Sequence, residues 1–245
     1  MKIIKLKKID STHKLAIRMI ENNSAFECGI LADIQTNGVG RCGRKWTSAD
    51  GNLYSSIIRK LPKNEDICKI SLATACAVHK TVKNLLDPTK KEFLYLHWPN
   101  DIYYKNKKLS GILLAVVENW IVISVGLNIH SVSMPTAVSL DEIIGVLDVS
   151  ADRLFRSVLN NLDDEMNLLQ TDSFSDIRKY WIRNIVGVNS EVTVRNGEDS
   201  LSGTVRGIDE IGRLILECDG EKLYISSGDM FVNEKKIVVN YDKKK

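Results

Sequence analysis

The sequence predicts an α+β protein: a mixed, largely antiparallel sheet covered by helices, followed by a small C-terminal β-barrel. Three observations predict it. Between Phe93 and Leu127, strand-like runs follow one another across tight turns, as in an antiparallel meander. Glu65 to Leu86 and Ala151 to Leu169 carry apolar residues at helical spacing. From Ser190 on, short alternating runs are punctuated by Asn196-Gly197, Gly212 and Asp219-Gly220, and Asn-Gly and Asp-Gly are hairpin signals.

Each element has its own local cause. Ile3 to Ile9 reads as a leading strand. Asp10-Ser11-Thr12-His13 then precedes Leu15, Ala16, Met19 and Ile20, and either Asp10 or Ser11 suits the N-cap. Gly29 to Gln35 and Asn52 to Arg59 are strand candidates on either side of a glycine-rich loop. His79, inside the first long helix, is expected on the helix surface. Phe93 to Trp98 is a strand ended by Pro99, which cannot donate to a ladder. Asn100-Asp101 and Ile102 to Tyr104 follow, then the turn Lys105-Asn106-Lys107, a strand from Lys108 to Leu114, and another from Trp120 to Leu127. Ser139-Leu140-Asp141-Glu142 fits a capping box. Ser173 to Ile182 is a further helix, with Trp181 expected in the core. The last runs are Val192/Val194, Leu201 to Val205, Leu214 to Leu216, Leu223 to Ile225 and Ile237 to Val239.

The pattern changes near Val186, which divides the chain into 1–185 and 186–245. A β-domain of about 55 residues is near the size at which a core becomes marginal, so it is expected to lean on the first domain. The net charge of +3 is slight, and the Lys243–Lys245 tail reads as a solvated terminus. The five cysteines, at 28, 42, 68, 76 and 218, have no metal spacing. Their odd number argues against a disulfide framework and for a reducing cytoplasm. No signal peptide opens the chain, and no apolar stretch is long enough to span a bilayer.

The stretch Gln35 to Trp46 organises the rest. It holds Gly38, Gly40 and Gly43, the cations Arg41, Arg44 and Lys45, and an indole. Amides beside arginines make a receptor for phosphate, and Trp46 can cover a flat group. By itself the stretch reads equally well as a mobile surface turn. It is no Walker loop, since no Gly-Lys-Ser/Thr follows. The glycines fit G-x-G-x-x-G, but no helical pattern opens after Gly43, so it is no dinucleotide fingerprint.

Taken in order, GVGRCGRKW at 38–46, WPNDIYYKNKKLSGIL at 98–113 and GLN at 126–128 resemble the biotin protein ligases, whose pattern is GRGRxGRxW, KWPND, KLxGIL and GxGxN. RGIDEIGRLILE at 206–217 resembles that family's small closing domain. The resemblance implies a class II synthetase-like catalytic domain with an SH3-like C-terminal β-domain. It implies ATP-dependent activation of biotin as biotinyl-5′-AMP, with Mg²⁺, and transfer to a lysine of a biotin carboxyl carrier protein domain, with that of acetyl-CoA carboxylase as the family expectation.

The resemblance also places the site. Lys108, Arg41 and Asp101 are the catalytic candidates. Lys108 matches the lysine that contacts the biotin carboxyl and the phosphate, and stabilises the transition state electrostatically. Asp101 either holds Mg²⁺ or positions the incoming lysine amine. Biotin falls to Ser11, Thr12, His13, Gln35, Gly38, Val39, Gly40, Arg41, Lys108 and Gly111, with the hydroxyls and Gln35 on the ureido ring. For Ser11 and Thr12 capping is the competing role, and both roles are compatible. ATP falls to Arg41, Arg44, Trp46, Asn100, Lys108 and Asn128, with the Asn128 amide reading adenine N6 and N7. Asn100 fixes its turn and touches the metal or phosphate.

Three positions depart from the family pattern: Val39 replaces the first loop arginine, His97 the lysine before Trp98, and Ala115 a glutamate after GIL. The first two remove up to two cations near the phosphates, which predicts weaker retention of biotinyl-AMP. Two other readings compete. A lipoate-type acyltransferase shares the fold class but lacks this arginine–glycine loop. A DNA-binding regulator needs a helix-turn-helix, and a pattern starting by Asp10 leaves no room for one, so no DNA binding is expected. A homodimer through an exposed sheet edge is an expectation by analogy alone.

Overall fold

The first local decision in the chain is a helix start. Lys2–Ile9 forms β1, Ser11 stays extended, and its hydroxyl accepts the Lys14 N–H at 3.4 Å as Thr12–Glu21 (α1) begins. Asp10 does not cap; it holds Arg18 through two contacts of 2.8 and 2.9 Å. Both come from a computed structural model that describes residues 1–62, 66–130, 132, 134–145, 148–171 and 173–232.

The chain continues through β2 (Cys28–Gln35), a small hairpin of β3 (Gly38–Val39) and β4 (Lys45–Trp46), and β5 (Leu53–Lys60). Helix α2 (Ile67–Lys83) is capped by Asp66, which accepts the Cys68 N–H at 2.8 Å; the expected start at Glu65 lies outside the described residues. A turn of helix, α3 (Pro88–Lys91), leads into β6 (Leu94–His97), β7 (Asp101–Tyr104), β8 (Lys107–Val117) and β9 (Trp120–Leu127). Helices α4 (Leu140–Ile144), α5 (Ala151–Gln170) and α6 (Phe174–Asn184) follow. Ser139 caps α4 as the capping box predicts, with its hydroxyl 3.2 Å from both the Glu142 N–H and the Glu142 carboxylate.

Seven strands form one sheet in the order β1-β2-β5-β9-β8-β7-β6, and only β1 and β2 run parallel. The expected meander is β6 to β9. Both faces of its middle are covered. Ile30, Ile58 and Val122 face Ala16 and Ile20 of α1. Leu31, Ile57, Ile121 and Ile123 face α2 and α5. That double coverage explains why β5 is buried continuously from Leu53 to Ile58 rather than at alternate positions.

Among the described residues, β10 (Glu191–Asn196), β11 (Asp199–Ile208), β12 (Leu214–Cys218), β13 (Glu221–Ile225) and β14 (Asp229–Val232) form a second, SH3-like antiparallel sheet in the order β13-β12-β11-β10-β14. Asp219 and Gly220 sit at φ 49° and 85°, both left-handed, as the β12–β13 hairpin requires. The expected strand at Ile237 to Val239 lies outside the described residues, as does the Lys243–Lys245 tail; β14, which closes the sheet, was not foreseen. Val192, Val205, Leu214, Leu216 and Met230 belong to the same apolar cluster as the main sheet, so the small sheet does lean on the first domain. Trp181 is fully buried as expected, with Nε1 donating to Leu72 O at 2.9 Å. Among the described residues no helix is long and apolar enough to cross a membrane, and the five cysteines are free.

His79 is not on the surface. It is fully buried, 3.2 Å from Leu94 O through Nε2 and 2.8 Å from the Tyr180 hydroxyl through Nδ1. A carbonyl only accepts, so Nε2 carries the proton and Nδ1 accepts from Tyr180. Burial pushes its pKa down to about 4. The unfolded chain therefore binds a proton that the folded one refuses. The stabilisation is full above about pH 6.5 and is lost as pH falls towards 4, by up to about 3 kcal/mol. Denaturant midpoints should fall between pH 7 and pH 4, and His79→Gln should flatten that slope. An equal slope in both proteins would exclude His79 as its source.

Candidate active site

One cleft of about 210 Å³ opens on the α1 side of the sheet, between the start of α1, the β3–β4 hairpin and residues Val132, Met134, Thr136 and Ala137. Its closed end is built from hydroxyls. Gln35, the last residue of β2, accepts from Thr12 N–H at 2.8 Å and meets Thr12 Oγ1 at 3.2 Å. Thr12 meets Ser56, Ser56 meets Ser124, and Ser124 meets His13 Nδ1, at 2.9, 2.8 and 2.8 Å. Ser56 and Ser124 are directly opposed on β5 and β9, on the face that α1 covers. Ser11, Thr12, His13 and Gln35 thus converge as the sequence expects.

The cationic end starts from a bulge. Opposite residues of β7 and β8 pair as Asp101–Gly111 and Ile102–Ser110, and then the register slips so that Tyr103 faces Lys108. The extra residue, Leu109, drops into the core, and Lys108 takes the place on the Asp101 face that Leu109 would have held. Lys108 Nζ reaches Asp101 Oδ2 at 2.5 Å and lies 5.5 Å from the centre of the Trp46 ring. Asp101 Oδ1 is buried without a hydrogen-bond partner.

The central stretch is a tight hairpin rather than an open loop. Gly38 pairs with Trp46 and Val39 with Lys45, and the Gly40 N–H is taken by Arg44 O at 2.7 Å. At Gly40, therefore, no backbone N–H is free for a phosphate, contrary to the amide-cradle expectation. Gly43, at φ 71°, supplies the left-handed residue that the turn needs. The guanidinium groups of Arg41 and Arg44 are charged donors beside this turn, and both are positioned by other residues. Arg41 donates to Asn100 Oδ1 at 2.9 Å and lies 3.7 Å from Asp229 Oδ1; Arg44 reaches the same carboxylate at 2.9 Å. The Asp229 hydrogen bond raises the Arg44 pKa. Asn100 also fixes its turn, donating through Nδ2 to Ile112 O.

Trp46 lies across the opposed glycines Gly111 and Gly126. A Cβ on Gly126 would stand 2.6 Å from the indole, and one on Gly111 2.9 Å from it. Two expected contacts come out differently. Gly38 does not line the cleft; a Cβ there would meet Trp46 O at 2.7 Å, so the glycine serves packing beneath the hairpin. Asn128 lines the cleft, but Nδ2 points to the Lys108 and Val138 carbonyls at 3.4 and 3.2 Å. Its N–H groups are spent on the fold, so bidentate pairing with adenine is not available in this arrangement.

The three departures separate. Val39 lines the cleft. His97 stacks on Tyr103, with ring centres 4.3 Å apart, and burial lowers its pKa, so it brings no cation at neutral pH. Ala115 packs in the apolar layer under α1, away from the cleft. Sequence reasoning missed Ser56, Ser124, Gly126 and Asp229 as site residues. Ser56 and Ser124 carry a faint signal, as hydroxyls inside otherwise apolar strands. Asp229 carries none; it arrives from 185 or more residues away.

A second cleft of about 330 Å³ shares Arg41, Arg44, Asp101 and Lys108 with the first and opens past His97 and Tyr103 towards β14. No cluster of three or more metal-ligating side chains occurs among the described residues.

A cleft that is hydroxyl-lined at one end and cationic at the other suits a protein that brings a ring-bearing carboxylate to a phosphate. Comparison with known proteins agrees. Residues 7–130 match the Biotin/lipoate A/B protein ligase family, and residues 187–232 match the Biotin protein ligase C terminal domain. The biotin–[acetyl-CoA-carboxylase] ligase of Mycobacterium tuberculosis is 30% identical over 208 residues, covering 82% of this chain and 77% of that protein. The bifunctional ligase/repressor BirA of Escherichia coli is 28% identical over 225 residues, covering 86% of this chain and 68% of that one. The biotin protein ligase from Aquifex aeolicus, in complex with biotin and ATP, superposes with a TM-score of 0.83 at 26% identity, covering 95% of this chain and 98% of that one. This chain belongs to the biotin/lipoate A/B protein ligase family.

Proposed function

We propose that this protein is an ATP-dependent biotin ligase of the cytoplasm that forms biotinyl-5′-AMP and passes the biotinyl group to a lysine of a biotin carboxyl carrier domain. The observation that carries the reading is the single cleft joining the Thr12–Gln35 hydroxyl end to Lys108, Arg41 and Arg44. The C-terminal match to a biotin protein ligase domain favours biotin over lipoate. A dithiolane ring would also leave the hydroxyl end without partners. We read 1–185 as the catalytic part and 186–245 as the part that supplies Asp229.

In the first step a biotin carboxylate oxygen attacks the α-phosphorus of ATP, and the bond to pyrophosphate breaks. Lys108 and Arg41 offset the two negative charges that must meet. Arg44 holds the outer phosphates, which compete with Asp229 for its guanidinium. Trp46 covers the nucleotide. Asp101 fits a Mg²⁺ ion as its one protein carboxylate, because Oδ1 is buried and unpartnered; Mg²⁺ commonly takes one carboxylate with phosphate oxygens and water. When bound, Mg²⁺ neutralises phosphate charge. In the second step the carrier lysine attacks the acyl carbon and AMP leaves. The second cleft supplies an approach past Tyr103, and, as the alternative to holding the metal, Asp101 Oδ1 can orient the neutral amine of the incoming side chain and take the proton that it gives up on attack.

The test is direct. Purified protein with biotin, MgATP and a carrier domain should label one lysine, and lipoate should not compete. Labelling by lipoate in place of biotin would move the protein to the other branch of the family. Val39→Arg should slow the dissociation of biotinyl-AMP about tenfold, since a guanidinium within hydrogen-bonding reach of a phosphate is worth about 1.5 kcal/mol or more. Equal rates in the two proteins would show that Val39 does not set retention.

A further inference from the structure

The hydrogen bonds at the closed end of the cleft run one way only. The Thr12 N–H donates to Gln35 at 2.8 Å, so that end of the amide is the oxygen. The same oxygen meets Thr12 Oγ1 at 3.2 Å, so the Thr12 hydroxyl spends its one proton there. Ser56, 2.9 Å from Thr12 Oγ1, must donate to it. Ser124, 2.8 Å from Ser56, must in turn donate to Ser56. His13 Nδ1, 2.8 Å from Ser124, must then carry a proton. Sheet register holds the middle of this relay, because Ser56 and Ser124 are directly opposed. Burial pushes the His13 pKa down to about 4, so the ring is neutral at pH 7 and its other nitrogen is bare.

Four of these residues, Thr12, His13, Gln35 and Ser124, line the cleft. With their protons spent, the hydroxyls of Thr12 and Ser124 turn only lone pairs towards a ligand. We propose that His13 is a specificity-determining residue of the ring pocket, held by Ser124 as the Nδ1–H tautomer, so that His13, Thr12 and Ser124 together accept from N–H donors of the bound ring. This deepens the reading of the ligand as biotin, whose cyclic urea has two ring N–H groups. A ring with a methylated N–H leaves these lone pairs unpartnered and is rejected. The role of His13 is one of polarity: it gives Ser124 a donor, which frees Ser124 to donate onward to Ser56.

The test reads the tautomer first, without ligand. Two-bond ¹H–¹⁵N spectra of labelled protein should place the His13 proton on Nδ1, and Ser124→Ala should move it towards Nε2. Calorimetry with biotin should then show binding weakened about tenfold in both Ser124→Ala and His13→Phe. The preference for biotin over an N-methylated biotin should shrink in both, and ATP binding should stay at the wild-type level, which also reports an intact fold. A wild-type proton on Nε2, a tautomer indifferent to Ser124→Ala, or an unchanged preference would each overturn the proposal. If the tautomer is as expected but wild type binds no biotin, the ligand assignment and the specificity role fall together, while the one-way relay stands.

Discussion

Lys108→Ala is expected to lower biotin-dependent pyrophosphate exchange by about 10²–10³-fold or more, with the fold intact. The reason lies in what remains after the ammonium is removed. Lys108 Nζ sits 2.5 Å from Asp101, and neither nearby arginine is placed to replace it: Arg41 is held by Asn100 and Arg44 by Asp229. The variant loses a cation and also leaves the Asp101 carboxylate unneutralised where phosphate must sit. At about 4 Å and an effective dielectric near 20, a single pair of charges interacts by on the order of 4 kcal/mol before desolvation, so the two effects add in the same direction. Circular dichroism and thermal melting should match wild type, since Lys108 is partly exposed and Leu109 still fills the core behind it. Normal exchange in Lys108→Ala would remove the residue from the chemistry.

Gly126→Val should abolish ligand binding at both ends of the cleft. The first added carbon would lie 2.6 Å from the indole of Trp46, and valine adds two methyls beyond it. Trp46 is paired through its backbone with Gly38, which is itself packed against Trp46 O, so a shift of Trp46 disturbs the hairpin carrying Arg41 and Arg44. Strand β9 also sits in the middle of the sheet, so a drop in melting temperature is expected. Gly126→Ala, with one carbon rather than three, should show a smaller loss of the same kind. Wild-type affinity for biotin and ATP in Gly126→Val would mean that Trp46 does not roof the site.

How far the sequence carried the site depends on the range of each interaction. Ser11, Thr12, Gln35, Arg41, Lys108 and Asp101 were legible because each sits in a short motif whose neighbours fix its local geometry. The bulge at Leu109 that aims Lys108 was not, because a register slip exists only between two strands. Asp229 was not, because nothing near it in the chain hints that it meets two arginines. His79 was misplaced on the surface because its helix is buried on almost every side, leaving the apolar stripe without a clear polar counterpart; Tyr180 and Leu94, which satisfy its ring, lie elsewhere in the sequence. Asn128 and Gly38 were assigned to ligands by resemblance, whereas their polar atoms and free space are taken up by the fold itself. Helices and strands were easier to place than the site, since periodicity and caps are local, although β14 carries too little alternation to be seen.

The apolar layer between the sheet and α2 runs without a break into the interior of the small sheet, through Trp181 and Ile185 to Val205 and Met230. Among the described residues the two parts share one continuous apolar interior, which couples the stability of each to the other. A destabilising change in the distant β10–β14 unit therefore travels as a loss of the whole molecule, and with it of the carboxylate that keeps two guanidinium groups aligned. Damage far from the substrates can in this way look like a defect of chemistry when it is one of cooperativity.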